Sequence, residues 1–157
     1  MLKIQRTKLM ILREITNVLN HNTNDPVERY PAIMYHITLG QNVKSILQIG
    51  LTPKKGNNNY QYNEPSVFLV DNLNADTLER VGSIVLTRGR SEQEMEQLNK
   101  DDHDSLVVLS VNMNGFNYPV YKDHIMKLPG CYFTQHTIEP ARFKIQGKVD
   151  FIHLTVG

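Results

Sequence analysis

The stretch Ile33-Met34-Tyr35-His36-Ile37-Thr38 sets one ionisable ring inside an apolar, strand-like run. A neutral imidazole donates from one ring nitrogen and accepts at the other, which suits it to holding a ribose hydroxyl. The same ring can be a packed core histidine or a metal ligand, and the run alone does not choose among these. Side chains alternate along a strand, so Met34, His36 and Thr38 share one face while Tyr35 and Ile37 share the other. Tyr35 and Ile37 read as core. His36 and Thr38 then line the other face, which is polar but close to a buried sheet.

Other groups have weaker claims to chemistry. Cys131 and His136 have the residue types of a nucleophile–base pair. Five positions apart on a strand they point to opposite faces, and Cys131 within Gly130-Cys131-Tyr132-Phe133 reads as buried. Asp101-Asp102-His103-Asp104 reads as a solvated turn rather than a cation site. One cysteine and six histidines form no zinc spacing, so no metal is expected. No glycine-rich phosphate loop is present.

These residues belong to a chain of 157 residues, long enough for one domain over residues 1–157. A net charge of +1 gives no bulk attraction to nucleic acid and leaves only a local basic groove as an option. The lone cysteine allows no disulfide within the chain and fits a reducing cytoplasm. No run reaches the ~18 apolar residues of a membrane span, so no membrane partner is expected. The N-terminal segment lacks an uninterrupted signal-peptide core. The absence of Trp and the Asn-rich composition fit an AT-rich genome, such as that of a phage or an AT-rich bacterium.

Spacing then sets the elements. Leu2, Leu9, Leu12, Ile15 and Leu19 predict an amphipathic helix over residues 1–20. A turn-forming linker, 21–26, leads into the His36 strand. Val43, Ile46 and Leu47 predict a short helix over 41–49 with Gly50 as its C-cap. Residues 54–65 form a long polar segment carrying Tyr60 and Tyr62, of a length that is often functional. Ser66 to Asp71 reads as a buried strand, and Asn74 caps a helix from Ala75 to about Val81. Residues 83–88 fit either strand or helix. Residues 91–100 read as an exposed acidic helix with a capping box. A strand follows at 105–112, then loop and edge strand at 115–121, a strand at 130–135, a turn into an edge strand at 137–143, and a closing strand at 149–156. Helices segregated from a run of strands define an α+β domain.

In order and spacing, Tyr35-His36-Ile37-Thr38, the helix ending in Gly50-Leu51, Val67-Phe68-Leu69, and Tyr132-Phe133 running to Ile138-Glu139-Pro140 resemble the ADP-ribosyltransferase superfamily. The nearest patterns are those of the DNA-modifying DarT-type enzymes and the RNA 2′-phosphotransferases. The resemblance covers residues 33–143, with the N-terminal helix additional. It implies split antiparallel β-sheets flanked by short helices, and NAD as the substrate that modifies a nucleic acid or protein acceptor. It implies that His36 bonds the adenosine-side ribose with Thr38 beside it, and that Phe68 flanks the nicotinamide. It also implies that Tyr60 and Tyr62 lie on a lid over the ligand, where aromatic faces stack on rings.

The pattern departs from the family at its acid. Active members carry a Glu on the strand before the closing turn, where its charge stabilises an oxocarbenium-like transition state. Cys131 or Tyr132 stands at that place here. Gln135 and Glu139 are the nearest substitutes, and Tyr35 replaces the Arg that the phosphotransferases place before the His. Arg88, Arg90 and Arg142 have no assigned position. Three readings follow: an NAD-using transferase with Gln135 or Glu139 in place of the acid, a binding module that keeps the fold without the acid, and an α+β domain acting by protein contact.

Overall fold

Strand β1 is Ile33–Leu39, the run that carries His36. In the computed structural model, which describes residues 25–53, 65–87, 93, 106–124, 126 and 128–149, it lies near the middle of an antiparallel sheet. The N-terminal helix over 1–20, the Tyr60 and Tyr62 segment, residues 101–104, the closing strand from 150 onward, and Arg88 and Arg90 lie outside the described residues. So does the 91–100 helix, apart from the helical Gln93.

Helix α1, Gly40–Ile49, follows β1 directly. It buries Ile46 and packs Val43 against the core, while Leu47, expected on that face, is 37 % exposed. Gly50 ends the helix at φ 82°, with its N–H on the Ile46 carbonyl at 2.8 Å. Leu51 then bridges to Ile138. Strand β2 is Val67–Val70 and helix α2 is Ala75–Thr87. The Asn74 side-chain oxygen accepts the Thr77 N–H at 2.9 Å and caps α2 as its sequence predicts. The ambiguous stretch after Val81 is helical. Leu78, Val81, Val85 and Leu86 recur at helical spacing and all pack against one sheet face, which decides for helix.

Strands β3 (Leu106–Asn112), β4 (Val120–Lys122), β5 (Cys131–Thr134) and β6 (Phe143–Val149) complete the sheet, with a single 3₁₀ turn at Pro140–Arg142 before β6. The order is β4-β5-β2-β1-β3-β6, every neighbouring pair antiparallel. The architecture is α+β, as expected. Its strands connect as one six-stranded sheet where the resemblance implies two. The halves β4-β5-β2 and β1-β3-β6 meet through one registered pair, Tyr35↔Val70, whereas β1 and β3 pair along seven positions.

Both faces of this sheet are covered. Met34, Leu69, Leu109 and Val111 pack under α1 with Phe116, Ile138 and Phe143. Ile37, Leu39, Val108 and Cys131 pack under α2 with Leu86. Two covered faces explain why Leu106-Val107-Val108-Leu109 is apolar without alternation. They also correct one expectation. Tyr35 and Ile37 do face a core, but the opposite face is a core too, with Met34 fully buried and Thr38 5 % exposed. It is not an open polar floor.

Candidate functional site

His36 sits where the sheet is most weakly joined. Its Nδ1 lies 2.8 Å from the carbonyl oxygen of Phe68 on β2. A carbonyl on an interior strand needs a donor. Beside a ladder with one registered pair, His36 supplies one from its side chain. With Nδ1–H donating, the neutral ring presents Nε2 as a bare acceptor. The residue is only partly covered, yet its surroundings are dense enough that burial is the main influence on the ring. Burial lowers its pKa from the usual 6.5, and the bond to Phe68 only partly opposes this. Among the described residues no charged group contributes to the shift.

The other expected site residues that the structure describes do not gather around this ring. Thr38 is buried, and its hydroxyl accepts from the Asn42 amide at 3.2 Å. Phe68 lends His36 its carbonyl, but its ring lies on the other face. Phe68 stands opposite Phe133, with ring centroids 6.2 Å apart, and Phe133 stacks on Tyr121. Tyr132 shares the His36 face and is half-buried. β2 lies between its strand and β1, so the two residues are ~10 Å apart at the usual strand spacing. Its phenol pKa is raised, chiefly by burial and then by Asp71, which keeps it protonated. Gln135 is exposed beyond the end of β5. Glu139 is exposed and bonded to Arg142, Oε1 to Nε 2.8 Å.

Cys131 is 3 % exposed, and its thiol is pushed up to about 11 by burial and then by Asp123 and Asp71. It is a packed residue and not a nucleophile. Among the described residues no group of three His, Cys, Asp or Glu could hold a metal ion. No described helix is long and apolar enough to cross a membrane.

A second constellation was not legible as a site in the sequence. Loop 115–118, His136, Thr137, Glu139 and Arg142 line an open groove of about 380 Å³. Tyr118 lies flat on His136, centroids 3.2 Å apart and planes within 11°. Phe116 meets Tyr118 edge-on at 5.5 Å, and the Arg142 guanidinium sits 5.6 Å from the Phe116 centroid. Arg142 Nη1 donates to the carbonyls of Asn112 and Asn114 at 2.8 and 2.7 Å. His136 Nδ1 donates to the Thr137 carbonyl at 2.8 Å, which leaves Nε2 as an acceptor in the neutral ring. Phe116 and Tyr118, alternating within Asn114-Gly115-Phe116-Asn117-Tyr118, were the available signal. They read as loop because their partners are 18 to 26 residues further along the chain.

With this geometry in hand, comparison with known proteins finds neither a family model nor a curated protein that matches the chain.

Proposed function

We propose that this protein is a nucleotide-binding module of ADP-ribosyltransferase-like architecture, one that holds NAD at His36 without cleaving it. The observation that carries the reading is the state of His36. Its Nδ1 is committed to the Phe68 carbonyl and its ring is kept neutral by burial, so Nε2 is an oriented acceptor for a ribose hydroxyl.

The transferase reading needs a carboxylate in hydrogen-bond reach of the ligand's ribose. Among the described residues no charged group influences His36, and Glu139 is engaged with Arg142. Gln135 carries no charge with which to stabilise an oxocarbenium ion. Binding without transfer is therefore the better-supported function, in which the module recognises a nucleotide, or a nucleic acid or protein that carries one. Calorimetric titration of NAD into wild type and His36→Ala tests it. Binding that the variant loses is expected. Equal affinity in the two proteins would remove His36 from the site.

A further inference from the structure

We infer that the groove between loop 115–118 and the Pro140–Arg142 turn is a second site, which takes a nucleobase stacked on Tyr118. None of its lining residues is His36, so it does not depend on the NAD reading.

Tyr118 is 49 % exposed although one face of its ring is covered by His136. Its outer face is an open aromatic surface, where a flat ring gains stacking contact. The rim carries polar groups of both kinds. Glu139 and His136 Nε2 accept, and Arg142 donates. Three of the five Arg142 N–H groups are accounted for by three contacts, Nε to Glu139 and Nη1 to two carbonyls, which leaves Nη2 for a ligand.

A flat ligand with both donors and acceptors on its edge is a nucleobase. The side chains of Phe and Tyr offer too few edge groups to use such a rim. The Arg142–Glu139 pair also cancels the local charge, so the groove is built for a ring and not for a phosphate.

The platform is preorganised. The Thr134 hydroxyl donates to the Pro119 carbonyl at 2.9 Å and accepts the His136 N–H at 3.3 Å, tying β5 to the aromatic loop. Arg142 ties the same loop to the end of β3. Loops fixed in this way lose little freedom on binding.

The chain contains no Trp, so Tyr118→Trp installs a single fluorophore at the stacking face. Its emission would be followed as single mononucleotides, an eight-nucleotide single strand or the matching duplex are added. Saturable quenching by mononucleotides or by the strand, and not by the duplex, is the expected result. Quenching by the strand alone identifies nucleic acid as the source of the base; quenching by mononucleotides identifies free nucleotides. Whichever ligand quenches is then titrated into wild type and Tyr118→Ala, where about a tenfold loss of affinity is expected. No quenching by either ligand, or equal affinity in wild type and Tyr118→Ala, would overturn the assignment. Should Tyr118→Ala fail to fold, the Trp variant decides alone.

Discussion

Acidification should destabilise this protein through His36, and the size of the effect follows from its setting. The folded ring has a pKa below the ordinary 6.5 because burial disfavours the charged form. Above that value both folded and unfolded chains hold the ring neutral, and His36 adds no pH dependence. As pH falls through 6.5 the unfolded chain takes up a proton that the native chain refuses, so stability drops. The loss continues until the folded ring also titrates. One proton taken up on unfolding corresponds to about 1.4 kcal/mol per pH unit. Between about pH 7.5 and about pH 5.5, His36 therefore removes at most about 1.4 kcal/mol.

The control is His36→Asn, whose amide can still donate to the Phe68 carbonyl but does not titrate. Urea denaturation of both proteins across this range isolates the contribution as a difference. The variant should be less stable by a roughly constant amount at neutral pH, and its profile should be flatter below 6.5 by one proton. Parallel profiles in the two proteins would refute the argument that burial holds this ring neutral.

Three further outcomes are expected. Gly50→Ala forces a Cβ into the Ile138 carbonyl oxygen at a positive φ, so it should cost at least about 2 kcal/mol, read as a lower thermal midpoint. Asn74→Ala removes the acceptor of the Thr77 N–H and should cost about 1 kcal/mol, measurable by chemical denaturation with α2 still present by circular dichroism. The Cys131 thiol, buried and with a pKa pushed up to about 11, should react with a thiol reagent at neutral pH only under unfolding conditions; rapid labelling of the native protein would contradict its placement.

Much of the fold was legible in the sequence because local chemistry agreed with tertiary demand. Gly50 and Asn74 end and begin their helices as their residue types require, and the apolar run of β3 declared a strand. Residues 83–87 were not decidable locally. Their β-branched content suits a strand, and only packing of Leu86 beneath the sheet selects helix.

The site was legible in part. Alternation put Met34, His36 and Thr38 on one face, but it could not tell that this face is a core as well, nor that Asn42 engages Thr38. It could not show that Phe68 contributes a carbonyl while its ring turns away. The aromatic groove escaped the sequence reading for a related reason. Tyr118 and His136 meet only because β4 pairs with β5, a contact that no local pattern encodes.

The central claim is that NAD is held and not cleaved. Incubating the protein with NAD labelled in its nicotinamide ring, and measuring bound label and released nicotinamide in the same sample, tests this most directly. The account predicts saturable bound label that His36→Ala loses, with nicotinamide release no faster than in buffer. Release above that background, abolished by His36→Ala, would contradict it and make the protein an NAD-cleaving transferase or hydrolase. Absence of bound label in wild type would remove NAD from the account altogether.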